Sequence, residues 1–394
     1  MSLILNGTSG LTFNDTSTLG TSPGAWQSVQ TTSFTATAGN AYPVNTTSAA
    51  VTVTLPASPT AGQSIILTDY AGTWATNALT INPNGLKLDG GTTNGTLSTN
   101  RATVSLVYVD TTQGWITYSN VTPAQTYSIS SLVVAGGAGG GTYVSSGGRA
   151  GGGGAGGLLY YGAETPKTPS GAAFTVSRNQ SISIVIGSGG AMHTNGSNSS
   201  ITVSGTTYTA IGGGYGAQAD GENGNAGGCG GGGWYTGVGG AGTLNQGFAG
   251  GNGGTASRYG GGGGGGTGVA GGTGTTTTGG SGGNGLAYTI SGASTYYGGG
   301  GSSDVWSGTG GVTSPGTAGL GGGGTGNNYT GGTNGTANTG GGGGSGNASG
   351  GSGVVIISYA SASQLGSGGT VTSYSSAGTT YWVHTFTTSG TYTA

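Results

Sequence analysis

Residues able to do chemistry are scarce in this chain. There are two histidines, His193 and His384, and one cysteine, Cys229. Asp220-Gly221-Glu222 is the one tight acidic pair. Two carboxylates serve glycoside hydrolysis when a fold holds them about 5–9.5 Å apart. With Asn223 and backbone carbonyls the same pair could ligate Ca²⁺. The plainer reading is a hydrated turn, and it is the one taken. His193 lies in Ala191-Met192-His193-Thr194-Asn195-Gly196, a turn, and His384 alternates within a strand pattern; neither has a Ser or Cys motif beside it. A lone cysteine excludes an internal disulfide and a cysteine metal site. Gly-x-Gly-x-x-Gly spacings recur, but a dinucleotide site needs a strand–turn–helix context that is missing. No enzyme activity, metal or cofactor is expected.

The aromatics point instead to binding. Trp234, Tyr235, Phe248, Tyr259, Tyr288, Tyr296, Tyr297, Trp306 and Tyr329 interrupt glycine runs. Tyr and Trp carry an apolar face and a polar handle. On loops held by a rigid scaffold they suit stacking on sugars. Trp234, Tyr235, Tyr296, Tyr297 and Trp306 are the receptor-contact candidates. The competing use of these rings is to plug gaps between glycine spans or subunits.

What must position them is a segment built largely of glycine. Leu132-Val133-Val134-Ala135 opens it and Val354-Val355-Ile356-Ile357-Ser358-Tyr359 closes it, and most of the 101 glycines lie between. Such composition normally reads as a flexible linker. Ordering it costs on the order of 1–2 kcal/mol of backbone entropy per residue. Backbone hydrogen bonds between closely packed extended segments can offset that. Collagen does so with Gly at every third position, but Gly260–Gly266 breaks that period and Pro is only 9 of 394 residues. The expectation is polyglycine-II-like spans bonded side by side, rather than irregular loops on a β frame.

The remaining chain reads as all-β, with no 3.6-residue period. Residues 1–30 hold short strand-like pieces with no core of their own, which suits attachment to a partner. Residues 31–120 form a small β-domain. Val51-Thr52-Val53-Thr54-Leu55 and Leu79-Thr80-Ile81-Asn82 alternate at period two, and Thr103–Asp110 pairs with Trp115–Tyr118. Strands at this spacing suggest a small sandwich. Residues 121–359 are the glycine-rich domain and 360–394 a final hairpin. The small first domain and a core with few side chains favour a homotrimer.

Charge and targeting signals narrow the class further. Charged residues are 4% of the chain, against roughly a quarter in ordinary proteins. Six Lys and Arg scattered along 394 residues build no basic patch, so nucleic acid is not an expected partner. The start lacks a basic n-region, and no run approaches the roughly 18 apolar residues of a membrane span. The chain is expected to fold in a cytoplasm and leave by lysis or within a particle.

Several stretches resemble a known family. Leu3-Ile4-Leu5-Asn6-Gly7-Thr8-Ser9-Gly10-Leu11-Thr12-Phe13-Asn14-Asp15 resembles the N-terminal stretch of bacteriophage tail-fibre proteins, cyanophage ones especially. Thr35–Val44 with Val51–Pro59 is similar to a β-domain common in those fibres. Leu132–Gly137 through Gly353–Tyr359 resembles the phage-associated glycine-rich domain, and His384–Tyr392 its usual C-terminal hairpin. The resemblance implies a homotrimeric fibre on the virion tail. Its N-terminal segment would join a tail or baseplate protein. Its glycine-rich domain would bind a bacterial surface glycan or outer-membrane protein. The alternatives are a structural decoration fibre of capsid or tail, and a surface-polysaccharide depolymerase. The family supplies no catalytic residues.

Overall fold

Period-two alternation sets the first sheets. In the computed structural model Val51–Thr54 and Leu79–Asn82 each place their apolar residues inward and their Thr or Asn residues outward. The structure describes residues 25–118, 124–142, 150–164, 170–255, 260–305, 314–327 and 331–394, together with three N-terminal strands. Those are Ile4–Asn6, Gly10–Thr12 and Thr18–Leu19, which form an antiparallel sheet with Ile4 opposite Thr12 and Leu11 opposite Leu19. Among the described residues there is no α-helix, so the chain is all-β.

The chain divides into two compact units, Met1–Tyr127 and Ser128–Ala394. The division falls inside the strand Ala124–Val134, not at residue 120. In the first unit one sheet runs in the order Gly114–Thr117, Thr103–Asp110, Ser64–Asp69, Asn40–Val44, Ala25–Trp26. The other contains Gly95–Leu97, Leu79–Asn82, Val51–Thr54 and Phe34–Thr35. Residues from both sheets share one core, including Val53, Ile81, Leu67, Leu106 and Trp115. This is the expected sandwich, with one difference. Several neighbours are parallel, such as Val51 beside Leu79 and Ala41 beside Ile66, so the chain crosses over between them instead of turning in tight hairpins.

A buried carboxylate ties a corner of this unit. Asp69 is 3% exposed, and its oxygens accept the backbone N–H groups of Gly72, Thr73, Trp74 and Arg101 at 2.9–3.3 Å. That satisfies donors which the loop would otherwise leave without a partner.

In the second unit the two framing strands of the glycine-rich segment meet. Leu132 pairs with Ile356 and Val134 with Val354, antiparallel. Leu158–Tyr161 lies on the other side of the first strand, with Leu132 opposite Tyr160. The C-terminal hairpin Thr370–Ser376 and Thr379–Phe386 extends this sheet beside Val354–Ala360. The last strand, Gly390–Thr393, instead joins Ser181–Val185 in a separate four-stranded sheet. The residues after 359 are therefore built into the second unit.

Between the frames the glycine spans bond with a period of three. Ala135, Ala138 and Gly141 donate to the carbonyls of Gly157, Gly154 and Gly151. Gly136 and Gly139 donate to Ser197 and Thr194, and Gly137 and Gly140 to Gly351 and Ala348. All these bonds are 2.9–3.0 Å. The same span accepts from three further neighbours: Gly190 and His193, Gly213 and Gly216, and Gly343 and Gly346. Span Gly151–Gly157 repeats the pattern, donating in turn to 211–217, 262–265 and 340–343. Three residues per turn with no internal hydrogen bonds is the geometry of a polyproline-II-type helix. Each turn aims its donors in three directions, so every span is cross-linked to those around it. Both central spans are fully buried, and their backbone groups pair with one another instead of with water.

Such packing leaves no room for side chains. A Cβ on Gly343 would lie 2.7 Å from the carbonyl oxygens of Ala348 and Ser349. Gly343 itself donates to Ala138 and accepts from Gly153, so it bonds to both central spans.

Candidate functional site

The bond pattern gives the glycine bundle two ends. Ala135, Gly157 and Ile211 are linked to one another at the end that continues into the strands. Gly141, Gly151, Ala217 and Gly232 are linked at the far end. The far end carries the turn at 191–194, the loop 218–223 and the loop 234–238. The described residues flanking 143–149, 256–259, 306–313 and 328–330 also stand there, as the bonds Gly141 to Gly151, Gly254 to Gly260, Gly261 to Asp304 and Asn327 to Ser345 show.

Side chains at the far end form a connected cluster. His193 Nδ1 is 3.1 Å from the Gly216 carbonyl, and its Nε2 is 3.4 Å from Glu222 Oε1. The Tyr215 ring lies on His193, centroids 4.2 Å apart. Glu222 Oε2 accepts the backbone N–H groups of Gln218 and Ala219 at 2.6 and 2.9 Å. Asp220 Oδ1 accepts the Trp234 indole N–H at 3.0 Å. Asn195 Oδ1 accepts from the Tyr215 backbone and from Asn225 Nδ2. The acidic pair is thus spent on holding loops: each carboxylate faces a different partner. Among the described residues no group of three His, Cys, Asp or Glu is placed to hold a metal ion.

The structure does not bring the four described candidate aromatics together. Trp234 and Tyr235 are at the far end, whereas Tyr296 and Tyr297 belong to the hairpin Leu286–Tyr288 and Thr295–Tyr297. Trp234 is 1% exposed and packs inside as a support, with its polar handle used by Asp220. Tyr297 is also buried, in a cluster with Leu132, Val134, Tyr288 and Ile356. Neither ring offers a face to a receptor in this chain. Tyr296 is 45% exposed. Tyr235 is half-buried and adopts φ 53°, an uncommon conformation for a bulky residue and one that clusters at functional turns. Trp306, Tyr259 and Tyr329 lie outside the described residues. Exposed Met192 and Val238 add apolar surface to the far end. Sequence reasoning missed them, and Tyr215 too, because single residues between glycines show no periodicity.

The other chemistry-bearing residues are structural. Cys229 is fully buried, and burial pushes its thiol up to about 12, so it stays protonated and inert. His384 is buried in Thr379–Phe386, 2.8 Å from the Gly368 carbonyl through Nδ1 and 3.3 Å from the Tyr359 hydroxyl through Nε2. Burial holds its pKa below the ordinary histidine value.

The glycine-rich domain family model matches residues 111–360, well over half of the chain. The chain belongs to the glycine-rich domain family. The match spans both framing strands and all the spans between them, so the threefold bond network is this family's segment as it folds here. A search of curated proteins found no match.

Proposed function

We propose that this chain is the receptor-binding tail fibre of a bacteriophage, attaching the virion to a bacterial surface glycan or outer-membrane protein. The observation that carries the adhesive reading is the glycine bundle. It is a cross-linked scaffold whose far end carries many successive loops side by side, and rigid scaffolds with loops at one end suit recognition. The viral setting rests on the resemblance of Leu3–Asp15 and of the framing motifs to tail-fibre proteins. In this reading residues 1–30 join the tail, the first β-domain spaces or trimerises, and three copies multiply weak contacts into lasting attachment.

Receptor contact is assigned to the far end, with Tyr235 as the contact ring and buried Trp234 as a support; Trp306 stays a candidate from the sequence, outside the described residues. Tyr296 is the candidate at the opposite end. Virions carrying Tyr235→Ala or Trp306→Ala should assemble normally and adsorb poorly to host cells. Adsorption lost only with Tyr296→Ala would move the contact to the strand end. Full adsorption by virions lacking the second unit would refute the adhesin and favour a structural fibre.

A further inference from the structure

The second unit also holds a cavity of about 650 Å³ on the strand side, apart from the far-end loops. It lies among the strands Leu158–Tyr161, Val354–Ala360, Thr370–Ser376 and Thr379–Phe386 and the turn after Tyr288. Its size is that of a site for a small organic ligand.

The lining has a distinct chemistry. Tyr374 and Tyr381 stack with centroids 5.1 Å apart and planes 11° apart, so each ring covers one face of the other. Gly292, at φ 93°, lets the backbone sit against the Tyr374 ring; a Cβ there would come within 2.8 Å of that ring. Tyr160 closes another side, its ring tilted 38° to that of Tyr288 with centroids 5.0 Å apart. Glu164 is fixed, its Oε1 accepting the Thr289 N–H at 2.7 Å and the Thr289 hydroxyl at 2.9 Å. Ser130 and Ser358 also line it, and their hydroxyls bond the Tyr160 and Tyr374 phenols. Burial, and then the Glu164 charge, push the Tyr160 phenol up, so it stays a donor. Among the described lining residues there is no Lys, Arg or His.

We infer that this cavity binds a neutral saccharide of one or two rings. A pyranose presents a flat apolar face and a rim of hydroxyls that both donate and accept. The face of Tyr381 turned away from Tyr374 matches the sugar's apolar face. Serine and tyrosine hydroxyls and one anchored carboxylate match the rim. An anionic sugar or a phosphate would meet Glu164 with no cation among the described lining residues to balance it, and desolvating such a charge is costly. A small quaternary ammonium ion would also accept rings and a carboxylate. It would, however, leave most of 650 Å³ and the serine hydroxyls unused. This site is independent of the far-end contact proposed above.

The test uses the full chain and saturation-transfer NMR with methyl glucoside, methyl galactoside, N-acetylglucosamine, maltose and lactose, beside choline and sialic acid. At least one neutral sugar should bind. Tyr381→Ala and Glu164→Gln should each weaken it about tenfold or more while melting like the parent. Tyr70→Ala, an exposed ring in the first unit, serves as the control and should leave binding unchanged. If Glu164→Gln unfolds the chain, Tyr381→Ala alone decides. Binding that survives Tyr381→Ala, preference for choline or sialic acid, or no response from any neutral sugar would overturn the assignment.

Discussion

Replacing Gly343 by valine tests the bundle at a span bonded to both central spans. A Cβ there meets the Ala348 and Ser349 carbonyl oxygens at 2.7 Å. Ordinary carbon–oxygen contact is roughly 3.3–3.6 Å, so one span must shift by more than half an ångström. Those two carbonyls accept from Gly140 and Gly335, and Gly343 bonds to Ala138 and Gly153, so any shift loosens bonds on both sides. Overpacking costs about 1–3 kcal/mol. Two weakened buried hydrogen bonds add about 1 kcal/mol each. The sum is roughly 3–5 kcal/mol, a fall of about 6–20 °C in the melting temperature of a unit this size. Gly378→Ala separates crowding from backbone conformation. Gly378 has φ 79° but nothing within 4 Å of its Cβ position, so only the left-handed strain of about 1–2 kcal/mol applies. Calorimetry on the two variants gives the comparison. A Gly343→Val protein melting within about 2 °C of the parent would refute close span packing.

Two further outcomes follow from buried polar groups. Asp69→Ala strips the acceptor from four backbone N–H groups. It should cost about 2–4 kcal/mol in the first unit, read by denaturant unfolding, with Asp69→Asn losing less. His384 titrates below its unfolded value of about 6.5, because burial opposes its charge. The unfolded chain therefore binds more protons below pH 6.5. Stability should be full above that pH and fall as pH drops towards the folded pKa, by at most about 1.4 kcal/mol per unit. Melting temperatures from pH 7 to pH 5 should show this slope, and His384→Asn should flatten it.

The β elements were legible because side chains alternate. Val51, Val53 and Leu55 face one way and Thr52 and Thr54 the other, and the structure buries them so. Leu132–Val134 and Val354–Tyr359 were readable as strands because apolar runs bounded by glycine fit a buried sheet, where they pair. Parallel pairing in the first unit was not legible, since alternation is the same for either direction. Polyglycine-II-like spans could be expected from the loss of the collagen period, but not their neighbours. The glycine residues within a span are chemically identical, so only the folded backbone shows that Gly137 points to Gly351 and Gly136 to Ser197. The aromatics suffered for the same reason. Nothing beside Trp234 in sequence says that Asp220 claims its N–H, or that Tyr297 turns inward while Tyr296 turns out.

Amide hydrogen exchange tests most directly whether glycine here is scaffold or linker. Peptides covering 135–141, 151–157 and 260–266 should exchange as slowly as those covering Val354–Ala360, because each span N–H is bonded and buried. Peptides around Tyr235 and Thr236 should exchange faster. Span amides that exchange within seconds, at the rate of an unstructured chain, would contradict the scaffold and with it the proposal that its far-end loops bind a receptor.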